Sequence, residues 1–294
     1  MSGTMFEPFA GALGCLLNRP HEPGIETIND LDGFVCNAWR SIAQQPEATV
    51  AWADNPINEC DLHARHIWLK ARRETLTAQL MADPDYCDPK IAGWWLWGIC
   101  CWIGGGWCGE GRTGPWVVEG GELVRRDSGR GVRRKLPHLG SAGQGVHCPG
   151  ADLLPWFYAL QARLRRVRVC CGDWQRVMGE SVTFGHGLTG ILLDPPYSTE
   201  EGRDMNIYAL DSGTVAHDVR DWCLANGDNP LLRIVLCGYG TVHDELVQAG
   251  WTRTEWKTNG GMGNQGQGRG RENASREVLW CSPHCLRDTQ LSMF

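Results

Sequence analysis

Ile191-Leu192-Leu193-Asp194-Pro195-Pro196-Tyr197 is the stretch on which the fold of this chain is read. Three branched apolar residues in a row mark the end of a strand covered on both faces. The strand must stop at Asp194, because Pro195 and Pro196 bring no N–H to a ladder and do not enter a helix interior. Beyond it stand a carboxylate, a rigid turn with a backbone carbonyl between two prolines, and an aromatic ring. Ligands of open α/β sheets bind at the carboxyl ends of the strands. Two rigid acceptors beside a stacking ring suit a flat base that carries an amino group. A strand-ending turn with a surface tyrosine would use the same residues, so the flanking sequence has to decide.

On either side, apolar runs alternate with helical patterns. Upstream, a helix runs from Gly150 through Asp152, Leu153, Trp156, Tyr158 and Leu164. Arg165 to Trp174 follows as a strand ending in an acid, Asp173, and an aromatic, Trp174. That pair can hold an amino group and cover a ring, though Asp173 can equally cap a helix. Downstream, Ser198 to Asn206 reads as a polar loop able to fold over the site, and Thr214 to Asn226 as a helix. Leu231 to Cys237 is another continuous apolar strand, Val242 to Ala249 is helical, and Trp251 to Lys257 alternates as a strand. Asn259 to Arg271 is a loop by composition, and Glu277 to Cys281 closes the sheet antiparallel to the strand at Trp251. Strands alternating with helices and ending in a hairpin give a mostly parallel, doubly wound α/β sheet.

The N-terminal segment extends this pattern. Met5 to Phe9 reads as a short strand, Ala10 to Gly14 as a tight small-residue turn, and Cys15-Leu16-Leu17 as the start of a helix. Small residues at such a turn let the backbone come close to a ligand. Ile25 to Asp30 reads as a second strand ending in a carboxylate, where Rossmann-like folds bind ribose hydroxyls. Asp30 could instead cap the helix from Gly33 to Ile42, as could Asn29 or Asp32.

From Gln45 to about Gly150 the strand–helix pattern lapses. Asp61 to Met81 has one apolar face at helical spacing and no proline, which predicts a single helix. His63 and His66 lie on it at i, i+3, and packing or solvation rather than a metal pair is the expected role. Ile91 to Trp102 reads as a buried, tryptophan-rich helix ending at Gly104-Gly105-Gly106. Cys100, Cys101 and Cys108 form no CxxC pair, and no zinc site is expected. Arg125, Arg126, Arg130, Arg133, Arg134 and Lys135 set six cations against one carboxylate within eleven residues. Such a field suits phosphates. Gln144, in the polar segment that follows, is a candidate with these arginines for reading base edges.

The 294 residues, 42% hydrophobic and 21% charged, are those of a globular chain, not a disordered one. With a formal charge of -6, nucleic acid would have to be met by local patches. Met1 to Phe9 lacks the basic and apolar regions of a signal peptide, and no apolar run reaches membrane-spanning length. The fourteen cysteines are therefore expected to be reduced thiols in a cytoplasmic protein.

In order along the chain, Glu7-Pro8-Phe9-Ala10-Gly11, Asn29-Asp30, Gly172-Asp173-Trp174, Asp194-Pro195-Pro196-Tyr197 and the strand Leu232 to Cys237 resemble the adenine-specific DNA methyltransferases of the DNA adenine methylase type. The resemblance implies a Rossmann-like S-adenosylmethionine-dependent methyltransferase sheet with a C-terminal antiparallel hairpin. Residues 1–44 and 151–294 would form the catalytic domain, and 45–150 an inserted, mainly helical target-recognition region binding double-stranded DNA. It implies an enzyme of restriction-modification, phage or orphan kind, working in the cytoplasm of a bacterial or infected host cell. S-adenosylmethionine would be held by Glu7, Phe9, Ala10, Gly11, Asp30, Asp173, Trp174 and Asp194. Asp194, Pro195, Pro196 and Tyr197 would be catalytic, gripping an adenine flipped out of the duplex. Two departures stand out: Leu13 takes the place of the family's second turn glycine, and few residues precede the turn. They make a catalytically weak or regulatory DNA-binding subunit the alternative, with a homo-oligomer or partner subunit compensating for the short N-terminus. An amino-cytosine methyltransferase is the nearer variant, but such enzymes more often carry serine where Asp194 stands.

Overall fold

Seven strand segments of four to eight residues pair in one sheet, the central ones built on apolar runs. The computed structural model describes residues 3–20, 24–102, 107–109, 116–119, 122–125, 153–197, 214–255 and 277–286. Its strands are β1 (Thr4–Glu7), β2 (Glu26–Asp30), β3 (Trp116–Glu119), β4 (Glu122–Arg125), β5 (Val167–Cys171), β6 (Thr189–Leu193), β7 (Leu232–Tyr239), β8 (Thr252–Glu255) and β9 (Glu277–Cys281). The larger sheet has the order β5-β2-β1-β6-β7-β9-β8. β1 runs parallel to β2 and β6, and β6 parallel to β7, while β9 is antiparallel to both β7 and β8. The chain is thus an α/β protein with a seven-stranded mixed sheet, compatible with a Rossmann-like fold.

Contacts divide the chain into two units. One comprises Met1–Asn29, Asp173–Asp204 and Asp211–Phe294; the other comprises Asp30–Gly172 and Met205–Leu210.

In the first unit, Phe6, Ile28, Ile191, Leu193, Ile234, Leu236 and Trp280 are almost fully buried. The expected two-sided burial of the central strand holds for one face only. Along β6 and β7 buried and half-buried residues alternate, so Ile191 and Leu193 are sealed while Leu192 is partly covered. Helices α1 (Gly14–Asn18), α8 (Val215–Asn226) and α9 (Glu245–Gln248) belong to this unit.

The second unit holds α2 (Gly33–Gln44), α3 (Pro46–Ala53), α4 (Glu59–Lys70), α5 (Arg73–Ala82), α6 (Pro89–Cys101) and α7 (Leu153–Leu164), with β5 and the β3–β4 hairpin. Its core joins Phe34, Leu69, Leu76, Leu80, Ile91, Trp107 and Cys108. Three side chains start helices by accepting backbone N–H groups: Asp32 from Phe34, Asn58 from Cys60 and Asp88 from Ile91. The single helix expected over Asp61 to Met81 is two. The Ala71 and Arg72 amides close the end of α4 onto Ile67 and Leu69, and the chain turns before α5. The periodicity survives because Leu69, Leu76 and Leu80 still reach one core. The break brings Arg73 to Asp32, with Nη1 2.8 Å from Oδ1, and Nη2 donates to the Cys108 carbonyl at 2.7 Å. No proline marks it in the sequence. Helix α3, with Pro46 in its first turn, lies in the stretch where the sequence pattern had lapsed.

Of the tryptophans in and around α6, Trp97 is fully buried, while Trp94 and Trp95 are half-buried. Lys90 Nζ lies 4.5 Å from the Trp94 ring centre, and the Arg65 guanidinium lies 4.2 Å from that of Trp97. His66 is packed, as expected: it stacks on Trp102 at 4.8 Å, and its Nδ1 accepts the Cys108 N–H. Burial lowers its pKa to about 4, and Lys70 and His63 push the same way. The described cysteines carry free thiols. Among the described residues, no helix is long and apolar enough to cross a membrane.

Candidate functional site at the carboxyl edge of the sheet

Where β6 ends, Leu193 is sealed and Asp194 emerges, followed by buried Pro195, half-buried Pro196 and half-buried Tyr197. Asp194 is crowded by protein, and this burial pushes its carboxyl above the ordinary aspartate value. A hydrogen bond from the Tyr197 hydroxyl pulls it part of the way back. Asp194 nonetheless keeps an exposed surface through which a solute can reach it. The Tyr197 ring packs edge-on against Tyr239 with centroids 4.4 Å apart.

The turn after β1 lies in the same unit. Glu7 is buried at the strand end, Pro8 accepts a hydrogen bond from the Asn29 side chain at 3.1 Å, and the Ala10 N–H donates to the Asn29 carbonyl at 2.8 Å. Asn29 therefore clamps the turn. Gly11 is exposed with φ 45°, and a Cβ built on it would meet no atom within 4 Å. Only glycine takes that conformation without strain, and the open space beside it is what a ligand approaching the backbone requires.

The other cofactor candidates divide. Phe9 and Trp174 meet at 6.0 Å between ring centres, and Trp174 also packs edge-on against Trp222 at 6.4 Å. With Trp174 5% exposed, its ring serves packing first. Asp173 accepts the Gln175 N–H at 2.9 Å, the helix-capping role left open by the sequence. In the second unit, Asp30 Oδ1 accepts the Asp32 N–H at 2.8 Å, and Asp32 caps α2, so Asp30 is not the cap. Of the DNA candidates, Arg125 ends β4. Arg126, Arg130, Arg133, Arg134, Lys135 and Gln144 lie outside the described residues, as do the segments Ser198 to Asn206 and Asn259 to Arg271.

No protein-family model and no curated protein matches this chain.

Two residues at this corner carry no sequence signal. Tyr239 ends β7 and meets Tyr197, and Glu277 begins β9 directly opposite Tyr239 in the ladder. Burial raises the Glu277 carboxyl, and the neighbouring Asp194 raises it further. Both follow from strand register, which one strand cannot disclose.

Leu13 explains how the turn closes without its expected second glycine. It adopts the left-handed region, φ 56° and ψ 36°, and its side chain is completely buried. Left-handed backbone costs a leucine about 1–2 kcal/mol. Removing a buried leucine side chain costs about 2–5 kcal/mol. Burial wins, so Leu13→Gly should destabilise the fold by about 1–3 kcal/mol in chemical denaturation, despite restoring the glycine pattern. A stabilised Leu13→Gly would show that backbone strain dominates.

Proposed function

We propose that this chain is a DNA methyltransferase that uses S-adenosylmethionine to methylate the exocyclic amino group of adenine. One observation carries the reading: Asp194-Pro195-Pro196-Tyr197 leaves the carboxyl end of β6, and the neighbouring strand β1 leads into the Glu7-Pro8-Phe9-Ala10-Gly11 turn. S-adenosylmethionine, when bound, supplies an electrophilic methyl group; everything else is positioning. The adenine amino nitrogen is a poor nucleophile because its lone pair is delocalised into the ring. Asp194 and the Pro195 carbonyl would each accept one of its N–H bonds, favouring a more tetrahedral nitrogen with an available lone pair. Tyr197 would stack on the flipped base, which contributes on the order of 1–3 kcal/mol and offsets much of the cost of extrusion. Residues 1–44 and 151–294 would be the catalytic part, with 45–150 recognising the target through its basic segment.

The test is to incubate the purified protein with unmethylated double-stranded DNA and S-adenosylmethionine and to analyse the digested nucleosides by mass spectrometry. N6-methyladenine is the expected product; N4-methylcytosine would identify the amino-cytosine variant. No methylated nucleoside at any protein concentration would refute the enzyme reading. The alternative, a non-catalytic DNA-binding subunit, is motivated by the strained, side-chain-filled Leu13 position. Calorimetric titration with S-adenosylmethionine separates the two, because such a subunit should bind none.

A further inference from the structure

The corner at the ends of β6 and β7 holds a second carboxyl group besides Asp194. Glu277 pairs with Tyr239 across the antiparallel ladder, so their side chains share one face with Cβ atoms about 5 Å apart. The Tyr239 ring touches Tyr197, whose hydroxyl bonds Asp194. Leu193 pairs with Leu236, which places Asp194 and Cys237 one step further along the same two strands. Glu277, Tyr239, Tyr197, Cys237 and Asp194 therefore gather at one rim of a single unit. The Cys237 thiol is held well above its ordinary value by burial and then by Asp194 and Glu277, so it adds no charge. Glu277 stands across β7 from Asp194 on the same face, and burial, then the Asp194 charge, raises its carboxyl, the direction that favours the protonated, hydrogen-bond-donating form.

We propose that Glu277 is a specificity-determining residue of the base site, donating a hydrogen bond to the ring nitrogen beside the amino group that Asp194 holds. The assignment rests on the methyltransferase reading. In adenine the amino group adjoins ring nitrogens that accept hydrogen bonds; on the pairing edge of guanine or thymine the same place holds a carbonyl beside an N–H. An ionised acid next to a protonated one offers acceptor and donor in the order adenine requires. Two ionised acids would instead repel the ring nitrogen. A site built to bond a substrate group discriminates strongly, because its own polar atoms are stranded when that group is missing.

The test compares wild type, Glu277→Gln and Glu277→Ala on unmethylated duplex DNA containing adenine, 1-deazaadenine or 7-deazaadenine, with methyl transfer as the readout. Glutamine keeps an N–H donor, so Glu277→Gln should stay within about threefold of wild type, while Glu277→Ala loses about tenfold on adenine. That loss should vanish on whichever deaza substrate lacks the bonded nitrogen. Equal rates for all three proteins on adenine would overturn the assignment, as would a loss in Glu277→Gln matching that of Glu277→Ala. A loss in Glu277→Ala that persists on both deaza substrates would overturn it too, since a merely structural role ignores the substrate atom. If Glu277→Ala does not fold, wild type against Glu277→Gln decides: both should slow on the same deaza substrate, and indifference to both deaza substrates overturns the proposal. A wild type that methylates nothing would instead remove the methyltransferase reading, and this assignment with it.

Discussion

Replacing Asp194 with alanine should reduce methyl transfer to DNA by about 10³-fold or more while leaving the fold intact. The magnitude is that of removing a positioned acid–base or charge-stabilising group. The Asp194 carboxyl is pushed up by burial, so ionising it costs the folded protein something, and the alanine variant should unfold no earlier than wild type. Asp194→Asn should fall between the two, since its amide oxygen can still accept one N–H but carries no charge. The same upward shift predicts that the rate declines on the acid side above the usual aspartate range, because the protonated carboxyl is a poorer acceptor for the amino group. Initial rates across pH, with thermal unfolding of each variant, measure all of this. Wild-type-like turnover in Asp194→Ala would remove Asp194 from the chemistry altogether.

Much of the sheet was legible because its signals are local. Apolar runs such as Ile191 to Leu193 and Ile234 to Leu236 mark strands, the first stopping at two prolines, and helices begin at capping Asp or Asn side chains. What was illegible depends on partners distant in sequence. Glu277 looks like an ordinary strand-starting acid until β9 pairs with β7 in the register that sets it against Tyr239. Asp30 and Asp173 are each an acid at a strand end. Position alone could not tell that Asp173 caps the short helical turn at Trp174, whereas Asp32, not Asp30, caps α2. Trp174 looks like a ring awaiting a ligand, yet Phe9 and Trp222 occupy its surroundings. Leu13 breaks a glycine pattern in the sequence and repairs it in space, trading backbone strain for burial.

The division of Asp61 to Met81 into two helices carries the largest expected effect on stability. Arg73 is 8% exposed; it pairs with Asp32, donates to the Cys108 carbonyl, and its guanidinium lies 4.6 Å from the Phe34 ring centre. Asp32 at the same time caps α2. One side chain thus ties the start of α5 to the start of α2 and to the backbone at Cys108. Arg73→Met keeps the apolar stem but leaves Asp32 short of its counter-ion and the Cys108 carbonyl without this donor. Breaking a buried pair from one side costs about 3–5 kcal/mol, because the remaining charge stays desolvated. Arg220→Met is the control: Arg220 lies 3.3 Å from Asp221 and 3.6 Å from Glu245, both well exposed. Such pairs contribute about 0–1 kcal/mol. Urea unfolding followed by amide hydrogen exchange in α2 and α5 reads the effect where it should appear, without assuming that both units unfold together. Equal, small losses in the two variants would mean that Arg73 stays solvated through its stem, and that the turn at Ala71 and Arg72 arises from core packing alone.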